Sequence, residues 1–208
     1  MEKTNKEINE TNIGNSGKKE DYAYLRMCQE QTLEFNKLEQ PSFKWFTESE
    51  KYKEFSSLYD NLDDTLKLSI RTGAQAYMAR FLEFCATYRK IRDISIKEIN
   101  EVNKIIEEKK IHHEFDGLIH ITLDAYSNSI KSGEEVKIEG DSKTMIEDLV
   151  SKIIVKSGAN ENVLNRGKIV RFANYCAELV VFVSNYKTSG REAIEEGLSD
   201  SVETIKGS

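Results

Sequence analysis

The chain of 208 residues has one proline, Pro41, and only 11 glycines. A large β-protein needs more turn punctuation than that, so the shortage favours helices. No apolar run approaches the roughly 18 residues of a membrane span. The opening stretch, MEKTNKEINETNIGNSGKKE, has no apolar block to act as a secretory signal. The three cysteines, Cys28, Cys85 and Cys176, are odd in number and far apart. Two of them lie in apolar helical settings, which predicts buried free thiols in a reducing compartment. Together these absences predict a cytoplasmic protein that does not engage a membrane.

Signatures of catalysis are missing too. There is no glycine-rich phosphate loop, nucleophile elbow or CxxC pair. Asp63-Asp64 and Glu107-Glu108 are adjacent acids, and neighbours on a helix point to different faces, so neither can act as an acid/base pair. The expectation is a protein that is not an enzyme, with no cofactor and no resident metal.

What is present is helical periodicity. A first helix is expected over about 21–39, ended by Pro41. After the aromatic stretch Phe43-Lys44-Trp45-Phe46, Thr47 is placed to cap a helix marked by Tyr52, Phe55, Leu58, Tyr59 and Leu62. Ala74, Tyr77, Met78, Phe81, Leu82, Cys85 and Tyr88 follow the spacing of one helix face. Ser95 with Glu98 reads as a capping box, and Ile99, Val102, Ile105 and Ile106 as the buried stripe behind it. Residues 111–123 admit two readings, a helix with Phe115, Leu118, Ile119 and Tyr126 on one face, or a hairpin turning at Asp116-Gly117. The helical flanks favour the helix. Gly133–Asp141 reads as a loop with a short extended piece at Val136–Ile138. Asp141 or Ser142 then caps a helix that carries Met145, Ile146, Leu149, Val150, Ile153 and Ile154 and stops at Gly158.

Ile169–Val183 has 12 apolar residues in 15. A helix that is apolar nearly all round belongs at the centre of a bundle. The predicted fold is therefore all-α: a single-domain bundle of six or seven helices over 21–189, between a disordered polar tail at 1–20 and a flexible acidic tail at 190–208. Its core should gather Tyr77, Phe81, Cys85, Val170, Ala173, Cys176, Val180 and Val183. Arg80-Phe-Leu-Glu-Phe-Cys-Ala86 also matches Arg171-Phe-Ala-Asn-Tyr-Cys-Ala177, a string that two core helices can reach by convergence.

Two features bear on function. His113, Asp116, His120 and Asp124 fall within about 80° on one helix face at 100° per residue, and imidazole with carboxylate at such spacing can chelate a metal. Four ligands along one helix span more than about 15 Å, so one ion could take only two or three. The expected reading is a solvated polar face, with a metal-dependent hydrolase as the outside alternative.

Charge is the second feature. Residues 65–92 carry a net +5 and residues 163–190 a net +3, in a chain whose total is −6. Six of the eight arginines lie in these two segments. The candidate nucleic-acid-binding residues are Arg71, Arg80, Arg89, Lys90, Arg92, Arg166, Lys168 and Arg171, since such segregation can present a basic stripe to phosphates. The alternative use of these cations is pairing with acids of neighbouring helices.

Phe172-Ala-Asn-Tyr175-Cys-Ala-Glu178-Leu-Val-Val-Phe182-Val-Ser-Asn-Tyr186-Lys187 resembles the closing helix of the small helical subunit of type III CRISPR–Cas interference complexes. Ile70-Arg71-Thr72-Gly73-Ala74-Gln75 with Ala79-Arg80-Phe81-Leu82 resembles the glycine–glutamine signature of the equivalent subunit in a sister subtype. The resemblance implies a non-catalytic filament subunit that stacks in copies along guide and target RNA beside other protein subunits. Arg71, Arg80 and Arg171 are the matched positions that would meet phosphates. The competing expectation is a helical protein-binding module, an adaptor or inhibitor with no nucleic-acid role.

Overall fold

The computed structural model describes residues 22–94, 96–158 and 164–208, and every regular element in them is an α-helix. In chain order these are α1 (Ala23–Phe35), α2 (Lys44–Thr47), α3 (Glu50–Asp60), α4 (Asp64–Asp93), α5 (Ile96–Lys109), α6 (His112–Ser132), α7 (Gly140–Ser157), α8 (Arg166–Ser189) and α9 (Arg191–Gly207). The all-α expectation holds; among the described residues there are nine helices, the seven expected plus the single turn α2 and α9, which forms where a tail was expected. The expected tail at 1–20 and Ser95 of the expected capping box lie outside the described residues.

α8 sits at the centre. Ile169, Phe172, Ala173, Tyr175, Cys176, Ala177, Leu179, Val180 and Phe182 are all buried on it, and α1, α4, α6, α7 and α9 pack around it. Each fully buried aliphatic or aromatic side chain contributes about 1.5–3 kcal/mol, so this one helix organises the core. Of the expected core set, Phe81, Ala173, Cys176 and Val180 are buried, while Tyr77, Cys85, Val170 and Val183 are half-buried. None of the described helices is long and apolar enough to cross a membrane.

Local chemistry sets the helix ends. Asp63 caps α4 by accepting from the amides of Thr65 and Leu66 at 2.9 and 3.0 Å. Asn165 does the same for α8 through Lys168 N, at 2.9 Å. Ser49, not Thr47, caps α3, accepting from Tyr52 N at 3.2 Å; Thr47 is taken up in the α2 turn. α7 begins at Gly140, one residue before the expected cap at Asp141, and Glu139 precedes it without a side-chain cap. Gly158 ends α7 in the left-handed conformation, φ 95°, as expected of a C-cap glycine. Residues 112–132 are one helix, which removes the hairpin reading. Val136–Ile138 is irregular chain, not a strand.

Two expectations are overturned. Residues 190–208 are not a flexible tail: α9 buries Ile194, Val202 and Ile205, with Leu198 packed against the core, and lies on α3 and α4. That 194, 198, 202, 205 stripe is helical in spacing, but the four acids between its members, Glu195, Glu196, Asp200 and Glu203, hide it in composition. The helical domain therefore runs to 207. The cysteines are not all free either. Cys28 on α1 and Cys176 on α8 are paired as a disulfide, with Cα atoms 5.3 Å apart, across 148 residues of sequence, leaving Cys85 as the free thiol. The pairing arises because α1 lies along α8, a proximity that sequence spacing does not reveal.

α9 reaches α4 closely enough to need a glycine. A Cβ at Gly197 would stand 2.5–2.7 Å from three ring atoms of Tyr77. Gly197→Ala should therefore destabilise the protein by about 1–3 kcal/mol through overpacking, outweighing the helix-propensity gain of about 1 kcal/mol. Thermal unfolding measures this, and adding Tyr77→Ala should recover part of the loss. A tail that did not dock would show neither effect.

Candidate nucleic-acid interface

α4 is a helix of 30 residues, about 45 Å long at 1.5 Å per residue. Its core side is Phe81, Phe84, Tyr88 and Ile91, all buried. Arg71 and Arg89 are five full turns apart, so they share one face about 27 Å from each other, while Arg80 falls halfway between them on the opposite side. The three α4 arginines therefore cannot form one stripe; only Arg71 and Arg89 can meet one backbone along a single face. All three are exposed, and none has a hydrogen bond or ion pair among the described residues. Between Arg71 and Arg89 on their shared face lie Met78 and Leu82, 37% and 50% exposed, with Leu68 at 66% near its start.

The other candidate cations are engaged within the fold. Arg166 grips Glu147 with both ends of its fork, at 2.9 and 2.7 Å. The Arg166 hydrogen bonds and charge hold the Glu147 carboxyl below the usual carboxylate range. Arg171 pairs with Glu98 at 3.1 Å, and Arg92 donates to Gln40 Oε1 at 3.0 Å. Lys90 reaches Glu178 at 2.5 Å, and the Tyr126 hydroxyl donates to the same carboxylate oxygen at 2.7 Å. Burial, with the Glu178 bond and charge added, pushes the Tyr126 phenol well above its ordinary value. The Glu178 side chain is only 10% exposed, so its charge needs these partners.

Lys90, Tyr126 and Glu178 stand where two surface hollows meet. The first, about 280 Å³, has Ile94, Ile99, Val102, Phe172 and Tyr175 in its walls, with Lys168 and Arg171 among its polar residues. The second, about 450 Å³, runs beside Arg80, Glu83, Thr87, Ile130 and Phe182. Four of the eight candidates, Arg80, Lys90, Lys168 and Arg171, thus line one groove of mixed charge with apolar walls. Arg71 and Arg89 look out from another face of α4.

The histidine stripe has a structural use. Asp116 Oδ1 accepts from the backbone amides of Tyr24 and Leu25, at 2.8 and 2.9 Å. It thereby caps α1, which has no side-chain cap of its own. His112 stacks on Tyr22 with ring centroids 4.8 Å apart, and His120 on Tyr24 at 4.4 Å. Glu107 and Asp124 stand 3.1 and 3.2 Å from those imidazoles. The expected solvated face is therefore exposed at His113 and Asp124 and half-buried at Asp116 and His120, where it docks a helix. No group of three or more His, Cys, Asp and Glu side chains among the described residues is arranged to hold a metal ion.

Buried Glu114 belongs to the fold as well. Burial pushes its carboxyl up, but the Lys156 hydrogen bond, at 2.5 Å, leads the interactions that hold it below the usual range. The residues that sequence reasoning missed, His112, Tyr126 and Glu178, carry no local motif; they are polar positions on helices whose partners come from distant segments. No protein-family model, curated protein or solved structure matches this chain.

Asp116→Ala should cost about 0.5–2 kcal/mol of stability, the usual loss of an N-cap, and Asp116→Asn less, because an acceptor oxygen remains. Denaturant unfolding reads the energy, and faster amide exchange confined to α1 would locate it.

Proposed function

We propose that the protein is a non-catalytic helical subunit of an RNA-guided assembly of the type III CRISPR kind, which holds RNA backbone through α4. The observation that carries this reading is the contrast among the basic residues. Lys90, Arg166 and Arg171 have acidic partners, whereas Arg71, Arg80 and Arg89 are exposed and have none among the described residues. A guanidinium with unengaged donors on a locally basic helix suits phosphate oxygens. Two of these arginines, Arg71 and Arg80, lie in the segment that resembles the CRISPR subunit. Other protein subunits and further copies of the chain would be its partners, supplying by avidity what a few contacts per copy lack.

A second reading has its own support. The groove at Lys90, Tyr126 and Glu178 has apolar walls and charges of both signs, features that suit a protein segment better than a phosphate backbone. In that reading the protein is an adaptor or inhibitor with no nucleic-acid role.

Binding of labelled single-stranded RNA at two salt concentrations separates the two. The two phosphate contacts that Arg71 and Arg89 can make along one face give a slope of about −1.4 in log K against log salt, or roughly sevenfold weaker binding from 50 to 200 mM. Sequence should matter little, because backbone contacts position without specifying. The double change Arg71→Glu and Arg89→Glu should abolish the salt-dependent component and leave the helical spectrum intact. Equal binding by both proteins, or none by either in the presence of co-purifying subunits, would favour the protein-binding reading.

A further inference from the structure

Cys28 is 4% and Cys176 0% exposed, so neither sulfur meets solvent while α1 is seated. The Cα separation of 5.3 Å is within the ordinary disulfide range. The bond is not the only hold on this helix. At its N-terminal end α1 is capped by Asp116 and stacked on His112 and His120. At its C-terminal end Phe35 packs on Tyr88 and Phe182 at 5.0 and 5.8 Å. A reagent attacking either sulfur needs a clear approach along the S–S axis, and the seated helix denies it.

We propose that Cys28 and Cys176 form a redox latch on α1, closed by exchange with a low-molecular-weight disulfide and opened by a low-molecular-weight thiol, and that exchange proceeds only when α1 lifts from α6. In closing, the Cys28 thiolate attacks one sulfur of the small disulfide, forming a mixed disulfide and expelling one small thiolate. The Cys176 thiolate then attacks the Cys28 sulfur, forming the internal bond and expelling the second. Two cysteine sulfurs are oxidised, one small disulfide is reduced to two thiols, and the two cysteine protons end on those thiols. Opening is the reverse. Cys85 takes no part; it is half-buried on α4.

The Asp116 cap sets the rate, because lifting α1 breaks it. This inference stands on α1 alone and is independent of the RNA reading.

The full chain, equilibrated in glutathione disulfide, is denatured and alkylated without reductant, then weighed. One adduct, on Cys85, is expected. After equilibration with reduced glutathione, three are expected. Cys28→Ser and Cys176→Ser should each free the other sulfur for alkylation or a glutathione adduct and show no internal bond. In native buffer, opening by reduced glutathione should be about fivefold faster in Asp116→Ala, the factor that one lost N-cap makes in a local opening equilibrium. Asp116→Asn should fall between the two, and Glu203→Ala, an exposed change on α9, should match the wild type. Three alkylated cysteines after glutathione disulfide, or opening rates that ignore both Asp116 changes, would overturn the proposal.

Discussion

A helix that is apolar over most of its circumference has to be largely surrounded, and α8 imposes that demand on the rest of this protein. Its apolar residues are distributed over most of its circumference, so no single partner helix could cover it. α1, α4, α6, α7 and α9 each take a share. The aromatic cluster shows how the cover is joined. Phe182 of α8 stacks on Phe84 of α4 at 4.6 Å, and Tyr186 one turn later meets Phe84 at 5.5 Å and Trp45 at 6.0 Å. The Tyr186 hydroxyl donates to the Glu39 carbonyl, so the chain between α1 and α2 is tied to the same helix. Burial pushes that phenol up to about 12.

The few polar residues of α8 then determine which surface charges the fold consumes. Glu178 is nearly enclosed and takes Lys90 and Tyr126; Arg171, at the edge, takes Glu98. A cation within reach of a buried carboxylate is held there by the cost of leaving that carboxylate unpaired. Cations on the outward sides of α4 face no such carboxylate. The basic residues of one segment therefore divide by geometry: Lys90 looks toward α8 and is part of the fold, and Arg71 and Arg89 look away from it. Local net charge cannot make that division, since Lys90 and Arg89 are adjacent and count alike.

What was legible in the sequence follows from this architecture. The central place of α8 could be read because twelve apolar residues in fifteen are too many for one side of a surface helix and call for cover on several sides. The end of α7 could be read because Gly158 meets a backbone requirement within the helix itself. Features that depend on a second, distant element could not. Asp116 looks like one member of a metal-like stripe until α1 is laid across it. The Cys28–Cys176 pair looks like two unrelated thiols until 148 residues of chain bring them together. α9 failed to stand out for a different reason. Its apolar stripe is complete, but composition averages over all faces of a helix, whereas burial acts on one.

α1 shows how far such distant dependence goes. It has no side-chain cap of its own, and its 13 residues fall at the length where an isolated helix is marginal in water. Its structure is thus supplied by its neighbours: a carboxylate and two imidazoles from α6, a sulfur from α8, and aromatic rings from α4 and α8. The contact of Phe35 with Tyr88 ties the end of α1 to the C-terminal half of α4, one residue before Arg89. Whatever loosens α1 removes a packing partner from the helix that carries the exposed arginines. The two surfaces are consequently joined through one aromatic cluster, Phe35, Tyr88, Phe84 and Phe182, and that cluster rests on α8. The same demand that buries the central helix therefore links the seating of α1 to the position of the α4 surface.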